Sequence, residues 1–380
     1  MLALSVRDFS KAVSCFSSAA QADPEEAALW MNLASACRGQ GDVEGERVAL
    51  GQALGIDQRL FMAQLRMAEL CQRQGEFSGA AKHWRHALTL STHIGSIPES
   101  LASTLAEARV FVNRQMADFT DIIDTGLAPV IAQANPTDAR RFQACIDHEF
   151  GRRRAYHNEC SGLYYPFLPA DEFFDRSHFP WMAALENKAG AIRAEFEELI
   201  KQPNVPIRPY VHQDPGTPTN KWTALDGSLD WGACFLWEYG VRNEPVCALC
   251  PETVAALDTL PRADIPGRAP SAFFSLLKPY SHIPAHTGVT NSRAIIHLPL
   301  IVPLKCRFRV GGEIRAWEEG KAFAFDDTIE HEAWNDSDEL RVVLIFDVWN
   351  PHLSLAEQSL LKQFFQLADE SGHNPASSRT

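Results

Sequence analysis

Apolar positions recur every three to four residues through the first part of the chain. After about residue 270 they give way to short apolar runs separated by turn-forming residues. From about Asp23 to Leu90 the pattern is one of paired helices repeating at an interval of 34: Ala34 is matched by Ala68, Arg38 by Gln72, Gly41 by Gly75 and Ala53-Leu54 by Ala87-Leu88. Small residues recur where neighbouring helices approach, and a glycine recurs where a tight turn joins them. Asp8 to Ala22 reads as the second helix of an earlier, incomplete repeat. The periodicity continues from Leu101 to Phe150, and MAALENKAGAIRAEFEELI predicts an amphipathic helix covering one side of the C-terminal domain.

The repeats resemble tetratricopeptide repeats, whose stacks leave a concave face. A peptide or protein partner on that face and a purely structural or dimerisation role are both compatible with it. Residues 156–182, with YYPFLP and FFDRSHFPW, predict an ordered connection, and 202–230 a loop. WGACFLWEYG predicts a strand and PETVAALDTL a helix opening on proline. From Ser271 onward, strands are predicted at 272–277, 293–302, 306–310, 313–317, 322–325 and 341–348. So many strands without intervening helices exclude a doubly wound sheet and favour a small barrel or double-sheet jelly roll. Ser354 and Glu357 offer a capping box for a closing helix, and the polar tail is expected to be mobile. The expected organisation is α+β multidomain: helical repeats over 1–150, a connection over 151–182, a jelly-roll domain over 183–368 and a tail over 369–380.

Composition narrows the function classes. With 46% hydrophobic and 22% charged residues the chain has the balance of a globular protein, and its formal charge of −13 disfavours nucleic acid or anionic membrane as a partner. The opening MLALSVRDF meets charge before an apolar core develops, and no run is long enough for a membrane span, so a cytoplasmic protein is expected. Nine cysteines are scattered along the chain rather than concentrated as in a disulfide scaffold. Cys247 and Cys250 form the single CxxC, which reads as ordinary buried thiols ahead of a redox pair or a metal site.

The chemistry concentrates in His286 to Asn350. An iron centre for oxygen chemistry needs a few nitrogen or oxygen ligands on one face, with positions left open. The imidazoles available are His286, His297 and His331, with His282 and His352 as further candidates; the carboxylates are Asp326, Asp327, Glu330 and Asp347. Composition alone does not select among them.

Four linked segments, HTGVTNSRAIIHLPL, CRFRV, WEEGKAFAFDDTIEHEAWND and RVVLIFDVWNP, resemble the catalytic domain of the aspartyl/asparaginyl beta-hydroxylase family, densest over 271–353 and looser back to about 165. The resemblance implies a double-stranded beta-helix (jelly-roll, cupin-like) oxygenase that uses Fe(II), 2-oxoglutarate and O2 and releases succinate and CO2. It also implies that His286 and His331 bind the metal, and that Gly288 stands where related oxygenases carry a carboxylate ligand. Asp326 and Asp327 then order the loop around His331, the rival being that one of them completes a facial triad. His297, Arg341 and Ser275 match positions that contact the cosubstrate carboxylates.

One departure is that Ile295 replaces a family arginine; Arg293 shares its face only if no bulge intervenes. Trp317, Trp334 and Trp349 read as core packing, while Trp231 and Trp237 are candidates for lining a substrate entrance. The expected function is hydroxylation of an unactivated carbon of an aspartyl/asparaginyl-like residue, a peptide or protein, or a small molecule. The alternatives are a repeat-based interaction protein with a degenerate cupin domain, and a zinc-dependent hydrolase.

Overall fold

The computed structural model describes residue 3 and residues 6 to 372; the remainder of the expected tail lies outside the described residues. The chain divides into two compact units, Met1–Ala139 and Arg140–Thr380.

In the first unit, helices α1 (Phe9–Ala22), α2 (Ala27–Gln40), α3 (Val43–Ile56), α4 (Phe61–Arg73) and α5 (Phe77–Ser91) are followed by the long α6 (Glu99–Ile131). Helices α2 and α4 begin at 27 and 61, and α3 and α5 at 43 and 77, so the sequence interval of 34 is also the structural one. The alanines that carried the repeat, Ala34, Ala53, Ala68 and Ala87, are all fully buried. Gly41 and Gly75 take positive φ, the left-handed turn that a side chain would strain. Successive hairpins are tied by Arg47 to Glu76 at 2.7 Å and Arg73 to Glu46 at 2.7 Å.

Helix α7 (Pro136–Glu149) follows a break at Asn135, where proline opens a new helix. In the second unit the amphipathic stretch forms two helices, α8 (Met182–Glu186) and α9 (Ala189–Leu199). Then come β1 (Arg208–Pro209), β2 (Trp231–Glu238), β3 (Val241–Arg242), α10 (Glu244–Leu249) and α11 (Pro251–Asp258). The remaining strands are β4 (Ala272–Leu277), β5 (Ser281–His286), β6 (Arg293–Ile301), β7 (Cys306–Val310), β8 (Glu313–Ala316), β9 (Phe323–Phe325), β10 (His331–Asn335) and β11 (Arg341–Trp349). Helix α12 (Leu355–Glu370) closes the unit, with the Ser354/Glu357 capping box formed.

The strands make two antiparallel sheets: one in the order β1-β2-β4-β11-β6-β9, with β3 beside β2, and a four-stranded one in the order β5-β10-β7-β8. From β4 onward the chain passes back and forth between the sheets, which is the double-stranded beta-helix. Strands β5 and β10 were absent from the sequence expectation; they are short, and HIPAH and HEAWN lack the apolar runs that marked the others.

Side-chain alternation divides the larger sheet into two faces. Phe274 and Leu276 of β4, Ile296 and Leu298 of β6, and Leu344 and Phe346 of β11 pack with Ile192 and Phe196 of α9 and Leu257 of α11. The opposite face, with Leu277, Val343 and Trp231, meets Ile283, Phe308, Val310 and Ala333 of the smaller sheet. By the same alternation Ser275, His297 and Arg341 point into the space between the sheets. Cys247 and Cys250 are buried free thiols on the helical side, and burial pushes Cys250 up to about 12.

Candidate active site

His286 and His331 are the cross-strand pair where β5 meets β10, and their ring centroids stand 4.0 Å apart. Ile283 opposes Ala333 on the same two strands, so three steps along β5 are matched by two along β10. That bulge re-aims His286: in unbroken alternation Ala285 would face His331.

The Nδ1 atom of His286 lies 2.8 Å from the Pro284 carbonyl oxygen, and that of His331 lies 3.0 Å from the Ile329 carbonyl oxygen. A carbonyl only accepts, so each Nδ1 carries the hydrogen and each Nε2 keeps its lone pair, the state in which imidazole binds metals. Burial lowers His286 to about 4 and drives His331 well below the ordinary value, with His286 adding to the effect on His331. Both rings are therefore neutral at physiological pH.

Asp326 accepts hydrogen bonds from the Thr328 hydroxyl (2.6 Å), the Thr328 amide (3.0 Å) and the Asn158 side-chain amide (2.7 Å). This fixes the turn that presents the Ile329 carbonyl to His331. Burial raises Asp326 to about 6, against these hydrogen bonds. Asp327 is raised to about 7, again by burial first. Its carboxylate lies against Gly288, where an added Cβ would overlap it, and its carbonyl accepts the Gly288 amide at 2.6 Å. The space in which a carboxylate ligand at 288 would begin is thus filled by Asp327. Among the described residues no group of three or more His, Cys, Asp or Glu side chains forms a metal site.

On the facing sheet, Ser275 Oγ accepts from the Arg341 guanidinium at 3.1 Å and from Trp231 Nε1 at 3.1 Å. Both of its lone pairs are occupied, which leaves its O–H to donate. Arg341 is 1% exposed, and burial lowers it to about 10, still cationic at neutral pH. Its Nε, His297 Nδ1 and Trp317 Nε1 are buried without a hydrogen-bond partner among the described residues. His297 is held by Phe308, Phe323 and Phe325 at 4.9, 5.3 and 4.9 Å and is driven well below its ordinary value, by burial first and then by Arg341. Trp222 meets His286 edge-on at 5.0 Å, and Trp231 lies 6.2 Å from the same ring.

The other candidates sit elsewhere. His282 faces outward, stacked on Trp334 and 3.1 Å from Glu332, and His352 lies beside His178. Glu330 pairs with Arg309 and Arg154, and Asp347 with Arg293. Strand β6 has no register shift between Arg293 and His297, so Arg293 shares the face of Ile295. Its guanidinium is nevertheless engaged by Asp347 at 2.5 Å and does not stand in for the absent arginine.

Residues 186–351 match the family described as Aspartyl/Asparaginyl beta-hydroxylase. Over this stretch the chain is similar to that family. Among its relatives, an ornithine lipid ester-linked acyl 2-hydroxylase of Rhizobium tropici is 37% identical over 197 residues, 51% of this chain and 66% of the relative. The human aspartyl/asparaginyl beta-hydroxylase is 40% identical over 126 residues, 33% of this chain and 16% of that protein. A mouse aspartate beta-hydroxylase domain-containing protein 2 is 32% identical over 207 residues, 53% of this chain and 58% of that protein. The chain thus spans less than two thirds of each of these relatives.

Within residues 183–368, sequence reasoning missed Trp222, whose edge-on contact with His286 only the 202–230 loop conformation supplies. It also missed Asn158, which reaches Asp326 from the connecting segment. Trp237, expected with Trp231 at the entrance, packs on the helical side instead, because β2 shifts register between Phe235 and Trp237.

Proposed function

We propose that this protein is an Fe(II)- and 2-oxoglutarate-dependent hydroxylase of an unactivated carbon. The observation that carries the reading is the pairing of two unlike half-sites: two neutral imidazoles with free Nε2 atoms on one sheet and a nest of buried donors on the other. Unpartnered buried donors are costly. Here, among the described residues, Arg341 Nε–H and Trp317 Nε1–H have no acceptor and the Ser275 O–H is left to donate, so the donor set fits a carboxylate.

Iron(II) held by His286 and His331, with 2-oxoglutarate and dioxygen, supplies the oxidation of C–H to C–OH with release of succinate and CO2. The protein's part is positional. The Pro284 and Ile329 carbonyls hold the two imidazoles in one tautomer, and Asp326 fixes the turn beneath His331. Asp327 fills the space beside Gly288, so His286 and His331 are the protein side chains that would hold a metal there. Arg341 and Ser275 bind the carboxylate distant from the metal, and His297 adds a neutral ring near the cosubstrate. The rings of Phe308, Phe325, Trp222 and Trp231 pack against the two histidines and would keep water from the reacting atoms. Ile295 puts hydrocarbon where related enzymes carry arginine, so the site offers one cation fewer to an acidic group.

The substrates named for its relatives, an acyl chain and aspartyl or asparaginyl residues, define the classes to screen. None of the described helices is long and apolar enough to cross a membrane. The test is the visible metal-to-ligand charge-transfer band on anaerobic addition of 2-oxoglutarate to the Fe(II)-loaded protein. A band lost in H286A and weakened in R341A is expected. No band from folded, iron-loaded wild type would overturn the cosubstrate assignment and point to hydrolysis at zinc or to a binding role.

A further inference from the structure

We propose that the indole N–H of Trp317 is a third donor, beside Arg341 and Ser275, to the distal carboxylate of the cosubstrate. The inference rests on the proposed 2-oxoglutarate site and adds a positioning residue to it.

Trp317 follows β8 directly and is 8% exposed, yet its Nε1 has no partner among the described residues. Other indoles in the chain are satisfied: Trp30 donates to the Pro24 carbonyl at 2.9 Å, Trp84 to Gln72 at 3.0 Å and Trp231 to Ser275 at 3.1 Å. Burying an indole N–H unpaired is unfavourable, and phenylalanine would fill a core position without that cost. The sequence expectation of simple packing therefore leaves the nitrogen unexplained.

Its surroundings point to an anion. The ring stacks on Phe308 at 5.4 Å with an interplanar angle of 24°, and the Arg341 guanidinium carbon lies 4.8 Å from the ring centroid. His297 runs nearly parallel, 6.3 Å away. These contacts fix the ring before any ligand arrives, so the N–H direction is preorganised. Arg341 Nε, the neighbouring unpartnered donor, is buried in the same place. Two orphan N–H groups, one on the guanidinium over the ring and one on the ring itself, offer a donor to each oxygen of a carboxylate.

The experiment is calorimetric binding of two keto acids to the full-length Zn(II)-loaded protein, which reads affinity without turnover. 2-Oxoglutarate carries the distal carboxylate, and 2-oxobutyrate lacks it. W317F is expected to weaken 2-oxoglutarate about 10- to 100-fold, as for loss of one hydrogen bond to a charged group, and to leave 2-oxobutyrate within about twofold. W317H, which retains a ring N–H, is expected to recover part of the loss. Equal affinities of W317F and wild type for 2-oxoglutarate, or an equal loss for both acids, overturn the inference while the proposed function stands. A wild type that binds neither acid overturns both. The unmutated protein answers independently of any folding defect in the variants: its Trp317 15N-indole N–H signal should move downfield with 2-oxoglutarate and not with 2-oxobutyrate. Identical movement with both acids also overturns the inference.

Discussion

His286 and His331 face each other across β5 and β10 because a bulge adds one residue to β5 between Ile283 and His286. Strict alternation would bring Ala285 to the inner face, so the proposed metal-binding geometry depends on the irregularity. H286A should lower divalent metal affinity by at least about 100-fold, more than the loss of an outer partner costs. Moving the ring by one place, in A285H/H286A, should restore none of it. Competition with a chromophoric chelator measures both, and recovery in the double variant would mean that β5 can pair without the bulge.

In the proposed site Arg341 and Ser275 would divide the anion-binding work unequally. R341A removes the buried charge and should weaken 2-oxoglutarate at least about 30-fold, the scale for truncating one side of a buried charged pair. S275A removes one neutral hydroxyl and should cost about 2- to 12-fold. Titration calorimetry on the metal-loaded protein compares them. Equal losses would show that the serine mainly holds the arginine in place.

Gly288 and Asp327 share one volume, so installing a third carboxylate at 288 should fail on steric grounds. G288D is expected to destabilise by about 1–3 kcal/mol, the usual cost of overpacking, without raising metal affinity. G288D/D327A should regain most of that stability in urea melts. Tighter metal binding by the single variant would show that Asp327 yields easily.

The buried histidines make the metal-free protein acid-sensitive. In the unfolded chain they titrate near about 6.5, while the folded state holds His286 to about 4 and His297 and His331 well below the ordinary value. The unfolded state therefore binds more protons between those values, and this stability, present above about pH 6.5, is lost as pH falls through the window. Asp326 and Asp327, raised to about 6 and 7, act in the opposite sense by taking up protons in the folded state. H297Q deletes one histidine contribution and leaves the carboxylates. It should lose less stability than wild type between pH 7 and pH 4.5, as read by urea midpoints at each pH.

Periodicity made the helical repeats legible down to the buried alanines, and alternation along β4, β6 and β11 put Ser275, His297 and Arg341 on one face. The histidine strands were harder to read. HIPAH and HEAWN mix proline, charge and small residues, and they pair with each other, and β10 with β7, through long-range contacts and a bulge that leaves no mark in composition. Trp237 was misplaced for a related reason, since a register shift reverses every later side chain on the strand. The contact between Asp327 and Gly288 and the bond from Asn158 to Asp326 join distant segments, and no local pattern encodes them.

The imidazoles belong to one sheet and the Ser275 and Arg341 donors to the other, so in the proposed site the gap between the sheets would work as a caliper. Facing sheets stand about 10 Å apart, a distance that packed side chains on both sides hold fixed. A diacid that must touch both walls is thereby measured for length. In the proposed site a diacid one methylene shorter would fall short of Arg341, and one a methylene longer would exceed the gap. Discrimination among keto diacids then belongs to the spacing of the whole sandwich, and core substitutions far from either histidine can retune it.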